Sequence, residues 1–404
     1  MNLGKTHLAK RTPMALLCLC IAIALLVVPA AAATTSVTVT RYCDNNYTAV
    51  DNSTTLTFQQ LRNISEFQSN GDIRMQGLVT PDDWANSGLN PSDFQDGWDA
   101  TESMNFKNYG AHNGTLVEDI VQHIGGMTDG SELEVADSTY PLATRHFSKT
   151  NVYTPPTGQG EMVLTWWDSV DGLVPNWGKG MRLYFYTSSD RDFSNMDMNT
   201  SFSSWYYQFA DDKYSDFSGP SAKGLSVQTV DTINIYPPHR YDFATGSDTV
   251  EYAYEGGVTG LPTASNVPSA TTVNTSKITA IDSDDDPYTT SVTGEYAAQR
   301  FVFTLNENAT NIEKLNVTWI GTGTNAGGTN GADLYIWNGS SYEHLQGSTS
   351  STEVSLTGEK TSSISNYVNG GNVTVLVKQK STSDGFDAST LATDYVKFVV
   401  THHH

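Results

Sequence analysis

Arg300–Leu305 (RFVFTL), Leu315–Ile320 (LNVTWI), Ala332–Trp337 (ADLYIW), Thr352–Leu356 (TEVSL), Val373–Lys378 (VTVLVK) and Tyr395–Thr401 (YVKFVVT) decide the fold of the C-terminal part of this chain. Each run is short and rich in β-branched and aromatic side chains, which suit a pleated, half-buried strand. Gly- and Ser-rich turns separate the runs, and almost no helical period intervenes. A series of such strands buries its apolar faces by stacking two sheets, so residues 280–401 are expected to form an all-β sandwich.

Upstream, Gly256–Thr279 (GGVTGLPTASNVPSATTVNTSKIT) mixes Gly, Pro, Ser, Thr and Ala without a pattern and reads as a linker over 256–279. Residues 34–255 have a different character. Ser36–Thr40 (SVTVT), Glu132–Val135, Met162–Trp167, Met181–Tyr186 and Thr229–Tyr236 read as strands. Thr115–Ile124 (TLVEDIVQHI) spaces Leu116, Val117, Ile120 and Ile124 on one helical face, carries Glu118 and Asp119 in its first turn and stops at Gly125-Gly126. Asp72–Asn108 is rich in Asp, Asn, Gly and Trp and is expected to be a long ordered loop. The expected fold class is therefore an α+β domain, mostly strands with one clear helix, followed by an all-β sandwich.

The N-terminus joins Lys5, His7, Lys10 and Arg11 to the apolar run Met14–Pro29 and then to Ala30–Ala33. A basic head, an apolar middle and a small-residue exit predict a secretory signal peptide over 1–33. The run is shorter than the roughly 20 residues of a membrane span. If uncleaved, it would be the chain's membrane tether. His402, His403 and His404 read as a tail of tag type and are set aside as metal ligands.

Beyond Ala33 the chain has 19 bases against 44 acids, a balance of −25. Nucleic acids and anionic membranes need a basic face, so both are excluded as partners. The acidity fits a self-repelling soluble surface and attraction of divalent cations. Only Cys43 remains beyond the leader, so no internal disulfide forms. Its place beside the alternating run Val37–Arg41 predicts a buried thiol. Asn-X-Ser/Thr sequons at Asn46, Asn52, Asn63, Asn113, Asn199, Asn274, Asn308, Asn316, Asn338 and Asn372 fit a glycosylated exported surface.

Two groups of residues are candidate sites. Asp282, Asp284, Asp285 and Asp286 form a dense carboxylate run whose hard oxygen ligands suit calcium, the one cofactor suggested. Trp98, Trp205, Tyr206, Tyr207, Asp211 and Asp212 combine ring faces with acids, as a platform for sugar rings would. No nucleophile elbow, zinc-protease helix, Cys-x-x-Cys pair or phosphate loop is present. His112, His123, His146, His239 and His344 stand at unrelated spacings, and no carboxylate pair is singled out. No catalytic residue is assigned.

Two resemblances complete the reading. The order TLVEDIVQHIGGM, DGSELEVADSTY, VYTPPTGQGEMVLTWW, GKGMRLYFY and GLSVQTVDTINIY, from about Tyr109 to Tyr236, resembles the molybdopterin-binding fold of the sulfite-oxidase type. That family holds molybdenum through a cysteine thiolate, whereas Cys43 lies upstream of the matching region, so no redox residue carries over. LNVTW at 315–319, ADLYIWNG at 332–339, NVTVLV at 372–377 and TDYVK at 393–397 resemble the C-terminal β-sandwich repeats of archaeal, methanogen-type surface-layer-associated proteins. This resemblance implies a location outside the cell envelope and a galactose-binding-like, jelly-roll type of sandwich. The leading expectation is a secreted, non-enzymatic envelope protein that partners other envelope proteins or copies of itself. A molybdopterin-oxidoreductase relative and a calcium-dependent carbohydrate-binding module are the alternatives.

Overall fold

The computed structural model describes residues 33–86, 88, 90, 104–140, 143–187, 192–214, 217–243, 251–269, 271–272 and 287–403. The chain is mostly strands with a few short helices. None of the described helices is long and apolar enough to cross a membrane.

The first part contains β1 (Ser36–Tyr42), β2 (Val50–Thr57), β3 (Phe67–Gln68), β4 (Ile73–Gln76), β5 (Phe106–Gly110), β6 (His112–Leu116), β7 (Glu132–Ala136), β8 (Arg145–Ser148), β9 (Glu161–Asp168), β10 (Gly172–Leu173), β11 (Arg182–Tyr186), β12 (Asp211–Tyr214), β13 (Phe217–Pro220) and β14 (Thr232–Tyr236). One sheet runs β2-β1-β14-β7-β8, with β1 and β14 parallel. A second runs β10-β9-β6-β3, with β11 also on β9. Alternation sets which side chains enter the core: Val37 and Val39 of β1 and Ile233 and Ile235 of β14 are buried in one core with Val163, Leu164 and Trp166 of β9. The helix Phe58–Ile64 starts at a capping box between Thr57 and Gln60.

Three expectations for this part change. The apolar run at Thr115–Ile124 begins as strand: β6 extends to Leu116, and the helix occupies Val117–Gln122. Pairing of Gly114, Thr115 and Leu116 with β9 outweighs local helical spacing. Asp72–Asn108 is not simply a loop, since β4 and β5 pair within it and a helix covers Pro81–Asn86. Cys43 is exposed, because β1 ends at Tyr42 and the thiol sits in the following turn, donating to Ala49 O at 3.4 Å.

The second part contains β15 (His239–Asp242), β16 (Glu251–Val258), β17 (Thr271–Thr272), β18 (Tyr288–Val292), β19 (Tyr296–Thr304), β20 (Ile312–Asn325), β21 (Ala332–Trp337), β22 (Tyr342–Ser348), β23 (Val354–Lys360), β24 (Asn372–Gln379) and β25 (Ser389–His402). All six strands that decided the sequence reading are present. One sheet runs β15-β25-β20-β23, with β18 also on β25, and the other runs β17-β16-β19-β24-β21-β22. Between them lies a core of Phe301, Phe303, Val317, Trp319, Leu334, Val375, Val377, Phe398 and neighbours.

The chain enters this sandwich earlier than its composition suggests. β15 pairs with β25 and β16 with β19, so His239–Asp242 and Glu251–Val258 belong to the sandwich sheets and the linker reading of Gly256 fails. Gly257 faces Glu295, whose Oε2 would lie 1.9 Å from an added Cβ, so a glycine there permits close approach. The reading of the terminal histidines as a tag-type tail set aside from metal binding changes for two of them: β25 runs to His402, which pairs with Ile312, and His403 N donates to Asn311 O at 2.9 Å, so both are built into the sandwich. Asp282, Asp284, Asp285, Asp286, Trp98 and Asn274 lie outside the described residues.

Candidate functional site

The described side chains of the expected platform are engaged within the fold. Tyr206 is buried, Trp205 is part of the first core's margin and stacks on the His403 ring at 4.9 Å, and the Tyr207 hydroxyl donates to Asn199 at 3.0 Å. Asp212 accepts from Lys223 Nζ at 2.6 Å and Leu78 N at 3.1 Å, so its carboxylate serves the fold. Asp211 opens β12, opposite Pro220.

Aromatic and charged side chains converge instead on the outer face of the six-stranded sheet. Phe301 and Phe303 of β19 face the sandwich core, which turns Tyr296, Ala298, Arg300 and Val302 outward. On β24, Val373, Val375 and Val377 face in, which leaves Leu376 and Lys378 outward. Register then builds rows across strands. Tyr254 pairs with Arg300, Arg300 with Leu376, Leu376 with Tyr335 and Tyr335 with His344. The next row sets Gly256 beside Ala298, Ala298 beside Lys378 and Lys378 beside Asp333.

The centre of this face is apolar: Val258, Ala298, Trp337, Tyr342 and Leu376 form a small buried cluster. Segment 259–269 lies over part of it, held where Arg300 Nε donates to Pro268 O at 3.0 Å and the Tyr342 hydroxyl donates to Ser265 O at 3.3 Å. Cations flank the cluster on both sides. The Arg300 guanidinium lies 3.9 Å from the centre of the Tyr254 ring, and Lys378 Nζ lies 3.8 Å from that of Tyr296. Ring faces attract cations, and the attraction grows as water is excluded. Burial lowers the pKa of both cations, with Asp333 opposing the shift at Lys378.

Beyond Lys378 the face opens to solvent. Asp333 Oδ1 accepts from Lys380 Nζ at 2.6 Å and lies 3.2 Å from His344 Nε2, and the exposed His344 ring meets Tyr335 edge-on at 5.3 Å. Burial pushes the Tyr335 phenol up to about 12, with Asp333 adding to the shift, so the hydroxyl stays protonated and can donate. Tyr252 projects 42 % exposed from β16. The face thus offers half-exposed rings, a carboxylate, hydroxyls and cations within one strand register. None of Tyr254, Arg300, Asp333, Tyr335 or Lys378 stood out in the sequence. Each occupies an ordinary outward strand position, and only cross-strand register groups them.

A family described as "Uncharacterized protein, C-terminal domain" matches residues 248–402. No curated protein matches the chain. Among solved structures, the xylan-binding module CBM15 is 13 % identical, covers 41 % of this chain and 99 % of its own, and has a TM-score of 0.25. The CBM22-1 xylan-binding domain of Paenibacillus barcinonensis Xyn10C is 13 % identical, covers 41 % and 94 %, and has a TM-score of 0.24. Carbohydrate-binding module CBM36 in complex with calcium and xylotriose is 15 % identical, covers 39 % and 98 %, and has a TM-score of 0.20. Likenesses of this size carry no argument about ligand, so the functional reading rests on the residues themselves.

Proposed function

We propose that this chain is an exported, non-catalytic glycan-binding protein that takes a sugar chain on the outer face of its six-stranded sheet. The observation that supports it most is the cross-strand grouping of Tyr335, His344, Asp333 and Lys380 beside the Tyr296–Lys378 pair. A sugar ring presents an apolar C–H face to an aromatic ring and hydroxyls to carboxylates and ammonium groups, and this face offers both. Export is part of the same reading. It is supported by the leader-like segment 1–33, the acidic balance and the sequons, of which Asn46, Asn52, Asn63, Asn199 and Asn308 are exposed. In this reading the chain sits at the cell surface, and the carboxylate run Asp282–Asp286 takes calcium.

The test is affinity electrophoresis of the full chain through gels containing soluble β-linked glycans, xylan among them. Retardation by at least one glycan is expected, and it should fall about two- to tenfold in Tyr335→Ala with unchanged circular dichroism. A stacking contact is worth about 0.5–1.5 kcal/mol, and 1.4 kcal/mol is tenfold in affinity. Free migration in every gel, or equal retardation of the variant, would overturn the reading.

A further inference from the structure

Four separate elements bring polar side chains to one point where the two parts of the chain meet. Tyr47 lies in the turn between β1 and β2, His239 opens β15, Glu307 follows β19, and His402 ends β25. The Tyr47 hydroxyl lies 2.6 Å from His239 Nε2 and 3.1 Å from His402 Nε2, and the two imidazole rings are 4.2 Å apart. Glu307 Oε1 bonds to His239 Nδ1, and Glu307 Oε2 accepts from the Tyr241 hydroxyl at 2.8 Å. One ligand atom each from His239, Glu307 and His402 lies within 4.8 Å of the others.

The partners assign the tautomers. His239 Nδ1 faces a carboxylate, so it carries the proton and Nε2 presents a lone pair. His402 Nδ1 faces His403 O at 3.2 Å, so it too carries the proton and its Nε2 presents a lone pair. Both Nε2 atoms therefore face the same phenol oxygen, at 2.6 and 3.1 Å, and the His239, Glu307 and His402 side chains gather at one point. A carboxylate on the far nitrogen of a histidine is the arrangement that orients and strengthens a metal-binding imidazole. A cleft of about 410 Å³, lined by Glu132, Tyr206, Asp129 and Glu313, adjoins the cluster at His402. Glu132, buried and 3.6 Å from His403 Nδ1, brings a second carboxylate to the cleft that His402 lines.

We propose that this junction binds one divalent transition-metal ion of the zinc class through His239 Nε2 and His402 Nε2, with Tyr47 Oη facing the ion and Glu307 locking His239 from behind. Imidazole donors select zinc, cobalt, nickel or copper over calcium. Bound there, the ion ties the last strand of the sandwich to the turn between the first two strands.

The full chain, freed of metal by chelation, is titrated with zinc by calorimetry and with cobalt by visible absorption. One equivalent of zinc per chain is expected, with a rise in melting temperature and d–d bands from cobalt held by nitrogen ligands. Glu307→Gln should weaken zinc binding tenfold or more, as loss of such a supporting carboxylate does. His239→Ala should abolish both the equivalent and the cobalt bands, and His404→Ala should change neither. If His239→Ala and Glu307→Gln keep the equivalent while His403→Ala or His404→Ala loses it, the terminal histidines bind metal by themselves and the proposal fails. Absence of any bound equivalent in the wild-type chain overturns it equally.

Discussion

Trp319 is wholly buried between the sandwich sheets, and its indole nitrogen donates to Thr393 Oγ1 at 2.6 Å. Thr393 in turn donates to Gln299, whose amide donates to Thr290 at 2.9 Å. The chain of bonds lets polar groups stay inside an apolar core without an unmet partner. Trp319→Ala removes both the ring and one end of this chain. It should cost about 3–5 kcal/mol in urea unfolding, the usual range for deleting a large buried aromatic. His112 works differently. It is 1 % exposed, and burial pulls its pKa below the ordinary 6.5, against Asp168 and the carbonyls of Tyr109 and Trp167, with Arg182 adding to the fall. Below 6.5 the unfolded chain binds a proton that the folded chain resists, so this contribution is full above 6.5 and fades as pH falls. Melting temperature should drop from pH 7 to pH 5, and less so in His112→Gln; equal slopes would remove His112 from the account. Trp319 was legible as a core residue from its strand. Gln299 and Glu307 were not, because a lone polar residue carries no sequence signal of the partners that tertiary packing brings to it.

Strands were the most legible elements, since alternation and β-branched composition survive any tertiary context. The helix at Thr115–Ile124 was half legible: its apolar spacing is real, but pairing with β9 claims the first residues as strand. The supposed linker misled for a physical reason. Gly256 and Gly257 signal flexibility by composition, yet in β16 they make room for Pro268 and Glu295. Gly323 in β20 makes the stricter demand: an added Cβ would lie 2.2 Å from the backbone oxygen of Gly331. Backbone cannot step aside as a side chain does, so Gly323→Ala should destabilise by about 1–3 kcal/mol. Gly260→Ala, with nothing within 4 Å of the new atom, should leave the urea midpoint nearly unchanged. Similar losses at both positions would show that close approach is not what selects glycine in β20.

At the scale of the whole molecule, two buried cores meet along a seam that includes His239, His402 and Tyr47. The seam was invisible in the sequence, where these residues are hundreds of positions apart. The outer face of the six-stranded sheet was equally hidden, because its residues sit on strands whose order in the sheet is not their order in the chain. Calcium belongs to this scale too. If the Asp282–Asp286 run takes calcium, melting in excess EDTA should lower the midpoint relative to millimolar calcium, and an unchanged midpoint would remove calcium from the account. The glycan reading is tested most directly by isothermal titration of the full chain with the oligosaccharide of the most retarding gel, for wild type and for the double variant Tyr335→Ala/His344→Ala. The account predicts saturable binding by the wild type and a loss of at least tenfold in the variant, measured well below the variant's melting temperature. Equal affinity in the two proteins, or no heat of binding in the wild type, would contradict it.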